Sequence, residues 1–252
     1  MEENVTQNQL FLFQGKSFFS KLNLICFHHA GGAASFFSGW QKDLPNLIQL
    51  ISFQLPGREA LHNHLFLNDF NEVIDKIISN KLIFTSKPYA LFGHSLGAII
   101  AFELARRLTT DAFPQPQCLI VSGNCAPNLY KQEKFSHLSD NLFIKKMNEK
   151  YGGISDEILY CQELLNFLLP RFRADFYLSE NYSYSSSPAL KIPIFVFTGI
   201  NDVSVDRGEI FAWEQETNNE CKIYEFEGDH FFISSARKQV LERINKILYK
   251  YL

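Results

Sequence analysis

Short, nearly continuous apolar runs recur along the chain, at Leu22–Phe27, Leu47–Phe53, Tyr89–Phe92, Cys118–Val121 and Ile192–Phe197. Runs of this length without alternation predict strands of a parallel sheet covered on both faces. Lys222–Phe226 predicts a further strand. A different spacing lies between these runs. Phe70, Val73, Ile74, Ile77 and Ile78 repeat at i, i+3, i+4, i+7 and i+8, and Val240, Leu241, Ile244, Ile247 and Leu248 form a similar stripe near the C-terminus. Such stripes predict helices with one face on the sheet. Strand–helix alternation argues for an open α/β sheet, whose ligands bind beyond the carboxyl ends of its strands.

The alternation stops between Val121 and Ile192, where only helical patterning remains. Leu138, Leu142 and Ile144 lie in one segment. Ile158 to Leu169 form a second, which Pro170 is expected to stop. Phe172 to Tyr182 form a third, and Ser183 to Pro188 read as a loop. A stretch this long is not a plain loop. It reads as a helical lid, at approximately residues 126–188, inserted into one domain spanning 1–252. The alternative is a second layer on the sheet with no part in binding.

Composition narrows the class. A net charge of −3 argues against a nucleic-acid binder, which would carry a basic excess. Met1–Val5 holds acids where a secretory signal needs bases, and no apolar run approaches the roughly 18 residues of a membrane span. The five cysteines are odd in number and form no C-x-x-C, so they read as reduced thiols of a cytoplasmic protein. A monomer is expected, with no membrane or nucleic-acid partner. The 25 phenylalanines suit a Phe-rich core or an acyl-binding pocket, and composition does not separate the two.

Gly93-His-Ser-Leu-Gly97 matches G-x-S-x-G, the nucleophile elbow of α/β-hydrolases. Three fixed residues, at usage of roughly 7% each, recur by chance in about one chain of this length in ten. The flanks carry the argument further. A strand-like run precedes the motif and the helix-forming Ala98–Leu108 follows it. The glycines permit a tight turn, and the helix start favours negative charge developing near Ser95.

A serine hydroxyl needs a base, and the chain order in this fold is Ser, then Asp or Glu, then His. Only His137 and His230 follow Ser95. His137 lies in the expected lid, whereas His230 follows a strand, so His230 is the expected base. The acid should orient the imidazole from a neighbouring strand end. Asp202 follows a strand and a Gly turn and is the expected acid. Asp206 is the alternative, but it reads better as the start of a helix near Arg207. Asp229, adjacent to His230, reads as a turn former. The oxyanion needs N–H donors. Leu96, after the nucleophile, supplies one, and Ala30, in His28-His-Ala-Gly-Gly32, is assigned the other. No metal is expected at His28 and His29, because no third ligand has suitable spacing.

With these residues placed, the chain resembles the type II thioesterases that accompany nonribosomal peptide and polyketide synthases. The resemblance is carried by Cys26–Phe37 with Trp40, by Gln54-Leu-Pro-Gly-Arg58, by Phe92–Ala98 with Ala101–Arg107, by Arg173-Ala-Asp-Phe176, and by Gly228-Asp-His-Phe-Phe232. The chain departs from the family at His28 and Val203, where Pro is usual, and at Asp229, where Gly is usual. The resemblance implies an α/β-hydrolase fold with a mostly parallel central sheet, helices on both faces and an inserted helical lid. It implies hydrolysis of acyl groups from the phosphopantetheine arm of a carrier protein, or of small acyl thioesters, with no cofactor. His29, Leu142, Phe167 and Phe172 are the residues expected to contact the substrate. The alternatives are a medium-chain fatty acyl thioesterase, a general carboxylesterase, and an inactive carrier-binding protein.

Overall fold

The apolar runs become a seven-stranded sheet in the computed structural model, which describes residues 9–15, 17 and 19–252. The reading of Met1–Val5 lies outside the described residues. The strands are β1 (Phe11–Phe13), β2 (Leu22–Phe27), β3 (Ile48–Phe53), β4 (Tyr89–His94), β5 (Leu119–Ser122), β6 (Ile194–Gly199) and β7 (Cys221–Phe226). Their order across the sheet is β1-β3-β2-β4-β5-β6-β7, and all neighbours are parallel except β1 with β3. The sequence pattern did not mark β1. Three residues are too few to show a period, and Phe11 takes its place by pairing with Phe53 on β3.

The register follows from burial on both faces. Ile51, Ile25, Leu91, Leu119 and Ile194 stand in one row across five strands, all buried on the same face. The helices α1 (Phe70–Ile78), α2 (Leu82–Thr85) and α3 (Leu96–Thr110) follow in the chain, and α1 and α3 pack over that face. Asp69 caps α1 by accepting from the Glu72 N–H at 2.9 Å, and Val73, Ile74, Ile77 and Ile78 are its buried stripe. A one-residue slip of any strand would turn its row to the wrong side.

Between β5 and β6 lie α4 (Asp140–Tyr151), α5 (Asp156–Leu159) and α6 (Gln162–Glu180). They build an apolar cluster of their own from Phe135, Phe143, Ile144, Met147, Leu165, Leu169 and Phe176. The expected break at Pro170 is absent, because α6 runs through it. Proline removes one helical hydrogen bond and crowds the preceding turn, which ordinarily breaks a helix. Here the two halves of α6 are anchored on either side of Pro170, by Leu165 and Leu169 before it and by Asp175 and Phe176 after it. Past β6 come α7 (Arg207–Phe211), α8 (Phe232–Ser235) and α9 (Arg237–Leu248). The α9 stripe of Val240, Leu241, Ile244, Ile247 and Leu248 covers the second face of the sheet. Among the described residues no helix is long and apolar enough to cross a membrane.

A buried ion pair ties the insertion to the sheet end. Arg58 donates to both carboxylate oxygens of Asp175 on α6, at 2.6 and 2.7 Å, and to the Gly32 carbonyl at 2.9 Å. The Gly31 N–H donates to the same carboxylate at 2.6 Å. Burial raises the Asp175 pKa, but Arg58 and the Gly31 N–H outweigh it and hold the carboxyl below its usual range. Removing one partner of such a pair strands a buried charge. Arg58→Met should therefore lower the unfolding free energy by about 3–5 kcal/mol, measured by urea denaturation. A loss below about 1 kcal/mol would show that Asp175 is satisfied without Arg58.

Candidate active site

Ser95 stands in the turn between β4 and α3, with φ 56° and ψ −119°. A non-glycine residue held there costs about 1–3 kcal/mol, so the surroundings must enforce it. The Ser95 N–H donates to the Ser122 carbonyl at 2.8 Å, and Asn124 Nδ2 donates to the Ser95 carbonyl at 2.8 Å. Packing leaves no choice at the flanking glycines. A Cβ on Gly93 would overlap the Gly97 carbonyl, and one on Gly97 would overlap the Phe27 carbonyl at the end of β2.

Strand ends deliver the other two groups. Asp202 lies just after β6, its N–H bonded to the Gly199 carbonyl at 3.2 Å. His230 lies just after β7. His230 Nδ1 is 2.9 Å from Asp202 Oδ2, and His230 Nε2 is 3.0 Å from Ser95 Oγ. An ionised carboxylate only accepts, so Nδ1 carries the proton and Nε2 accepts from the Ser95 hydroxyl. Burial raises the Asp202 pKa. The hydrogen bond and charge of His230, with two bonds from Ser204, more than offset that and keep Asp202 ionised. Asp206 stands apart. Its side chain accepts from the Gly208 N–H at 2.8 Å and closes a capping box with Glu209 at the start of α7. Asp229 accepts from the Phe231 N–H at 2.8 Å, within its own turn. His137 is exposed, ahead of α4.

A pocket of about 220 Å³ opens onto these groups. Ser95, Leu96, Ala30, His29 and Phe172 all line it. Leu96 opens α3, so its N–H belongs to the first turn, which lacks intrahelical acceptors. The Phe172 ring lies against Gly31, where φ is +77° and a side chain would strike the ring. Leu142 and Phe167 are elsewhere. They are 51% and 69% exposed and take no part in the pocket lining. Helical geometry is the reason. Phe167 is two residues from buried Leu165 and from buried Leu169, which puts it on the opposite face of α6. Leu142 likewise falls outside the buried set of Phe143, Ile144 and Met147 on α4.

Several pocket residues were not foreseen. Tyr130, Gln132, Lys150 and Tyr151 line it, and the Tyr151 hydroxyl donates to Gln132 Oε1 at 2.7 Å. The Tyr151 ring is centred 5.1 Å from the His230 ring, so the end of α4 covers the base. Ser204 also lines the pocket, and an Asp-x-Ser spacing was the sequence signal for its contact with Asp202. Among the described residues no three His, Cys, Asp or Glu side chains converge as metal ligands.

His28 and His94 are buried and neutral. His28 Nδ1 is 2.8 Å from the His29 carbonyl, and His94 Nδ1 is 3.0 Å from Ser122 Oγ. Burial, then the Arg58 charge, push His28 down to about 4, and burial pushes His94 below its ordinary value. The unfolded chain therefore binds more protons than the folded one below about pH 6.5, and stability must fall as pH falls through that window. Each such histidine contributes about 1.4 kcal/mol per pH unit between about 6.5 and its folded value. Urea unfolding near pH 5 and near pH 7.5 should show the higher stability at the higher pH, and His28→Gln should flatten the slope. A stability maximum near pH 5 would contradict the burial of neutral rings.

The two carboxylates make a second test. Asp202→Asn should lower hydrolytic kcat by roughly 10⁴-fold, because the amide presents the imidazole with the wrong partner. Asp206→Asn should leave kcat near its starting value and cost at most about 1 kcal/mol of stability through the helix cap. Steady-state kinetics on both variants decide it, and a reversed pattern would move the acid to Asp206.

Three comparisons place this geometry among known proteins. The family model described as "Thioesterase domain" matches residues 22–248. The gramicidin S biosynthesis protein GrsT of Aneurinibacillus migulanus is 34% identical over 230 residues, covering 91% of this chain and 90% of its own length. The medium-chain S-acyl fatty acid synthase thioesterase of Homo sapiens is 29% identical over 224 residues, covering 86% of this chain and 83% of its own. The solved structure of BorB, a type II thioesterase from the borrelidin biosynthetic cluster, superposes with a TM-score of 0.85 at 29% identity and covers 96% of this chain and 99% of its own. With the elbow, the Ser95–His230–Asp202 line and a match over nearly the whole length, the chain belongs to the thioesterase family, and within it to the type II thioesterases.

Proposed function

We propose that this protein is a serine thioesterase that removes acyl groups from the phosphopantetheine arm of carrier proteins serving a peptide or polyketide synthase. The observation that carries the reading is the hydrogen-bonded line from Ser95 through His230 to Asp202, opening on a pocket beneath the α4–α6 insertion. The names of its relatives point the same way. GrsT is a gramicidin S biosynthesis protein, and BorB belongs to a borrelidin cluster. The same reading has the protein act as a monomer in the cytoplasm, where its carrier would be made.

The chemistry follows from the residues. Ser95 Oγ attacks the thioester carbonyl while His230 Nε2 takes its proton, and Asp202 stabilises the imidazolium. The N–H groups of Leu96 and Ala30 are assigned to the oxyanion. The sulfur takes that proton from His230 Nε2 as it leaves, which returns the imidazole to its neutral form, and with a thiol pKa of about 8.5 it needs less help from the proton than an alkoxide would. Water then loses a proton to His230, attacks the acyl-serine, and releases the acid and free Ser95. The insertion acts as the lid of the acyl site, with Phe172 and Tyr151 over the reacting groups.

Size and polarity favour a short acyl group over a medium-chain one. A volume of about 220 Å³ lies below the roughly 300–1,000 Å³ of pockets for drug-sized ligands. Tyr130, Gln132, Lys150 and Tyr151 in its wall would leave a long hydrocarbon against polar groups.

The test compares one short acyl group on a carrier protein, on coenzyme A, and as a matched oxyester. The expected order of kcat/KM is carrier, then coenzyme A, then oxyester, since carrier contacts add binding energy usable in the transition state. Ser95→Ala should remove turnover and fluorophosphonate labelling, by several orders of magnitude, while leaving the fold intact. Equal rates on carrier and coenzyme A would remove carrier recognition. A preference for oxyesters would favour an esterase, and turnover by folded Ser95→Ala would end the serine mechanism.

A further inference from the structure

Ser204 sits where the acid and the base of the site meet. Its N–H donates to Asp202 Oδ1 at 2.9 Å, its hydroxyl donates to the same oxygen at 2.6 Å, and its Oγ is 3.0 Å from His230 Nδ1. Asp202 Oδ2 is the oxygen that faces Nδ1, at 2.9 Å. One hydroxyl has one proton and two lone pairs. With its proton given to Oδ1, Oγ has only lone pairs to offer Nδ1, so the Nδ1–H of His230 is shared between Asp202 Oδ2 and Ser204 Oγ.

We propose that Ser204 is a positioning residue of the hydrolytic reaction, acting through Asp202 and His230. Two effects follow from one side chain. The hydroxyl and the backbone N–H together lock Oδ1, which fixes the carboxylate plane and leaves Oδ2 directed at the imidazole. Oγ also adds a second acceptor on Nδ1–H, and that bond strengthens when His230 becomes an imidazolium, because bonds to charged groups are the stronger ones. A contact that tightens on the way to the transition state raises kcat rather than substrate affinity.

The hydroxyl is not needed to shape the loop. The Ser204 N–H alone closes the turn on Asp202, and any residue but proline supplies it. Nor is Ser204 a buried core position, since it is half-exposed at the pocket wall. A Ser204→Ala protein should therefore still fold cooperatively, with a denaturation midpoint lowered only by the loss of one hydrogen bond to Asp202.

The inference rests on the Ser95–His230–Asp202 mechanism, and a double-mutant cycle with Asp202 separates the failure of one from the failure of the other. Ser204→Ala should lower kcat roughly ten- to a hundredfold, the worth of a hydrogen bond to a charged group, with KM nearly constant. Ser204→Thr, which keeps the hydroxyl, should restore most of that loss. In an Asp202→Asn background the further change Ser204→Ala should have little effect, because groups acting as a unit are strongly non-additive. An unchanged kcat in Ser204→Ala, an equal loss in both backgrounds, or a raised KM at constant kcat would each overturn the assignment. If Asp202→Asn is crippled while Ser204→Ala is normal, only the role of Ser204 falls. If Asp202→Asn itself turns over normally, the acid assignment falls and this role falls with it.

Discussion

The close backbone approach of α3 to the end of β2 is the constraint on which the rest of the site depends. Gly97 meets the Phe27 carbonyl there with no room for a Cβ, and Gly93 meets Gly97 in the same way. That packing forces the turn in which Ser95 takes φ 56°. The serine is thereby lifted above the carboxyl edge of the sheet, where β6 and β7 also end. Parallel strands bring Asp202 and His230 to this edge although Asp202 and Ser95 are far apart in sequence. The cost of the strained serine is met by the two hydrogen bonds that hold its N–H and carbonyl.

Electrostatics divides the site into groups that must be charged and groups that must not. Asp202 is kept ionised by His230 and Ser204 against the pull of burial. His28 and His94 are kept neutral by burial itself. A neutral His94 matters because its ring is centred 5.1 Å from that of His230, and a second positive charge there would oppose formation of the imidazolium. The same burial that protects the chemistry makes the fold sensitive to acid.

The Arg58–Asp175 pair links this centre to the insertion. It joins α6 to the loop of His28–Gly32, so the base of the insertion is fixed to the segment that carries Ala30. Beyond that anchor, α4, α5 and α6 share an apolar cluster that also takes in Phe135. The pocket owes its walls to both layers, with Ala30 and His29 from the sheet end and Tyr151 and Phe172 from the insertion.

By itself the sequence determined six of the seven strands, the stripes of α1 and α9, the elbow at Ser95, and the chain order that selects Asp202 and His230. These are local matters of period, turn residues and capping, legible within a short window of chain. The helical content of the insertion was legible for the same reason. Which faces of its helices turn inward was not, so Leu142 and Phe167 were assigned to the substrate although they face outward. Pro170 looked like a stop because propensity is local, whereas contacts made by Leu165, Leu169, Asp175 and Phe176 with distant partners carry α6 through it. Arg58 and Asp175 were visible as parts of separate motifs, but a pair 117 residues apart has no local signature. Tertiary structure alone decided that pairing, the size of the pocket and the contact of Ser204 with His230, because each depends on side chains that meet only after the strands have aligned.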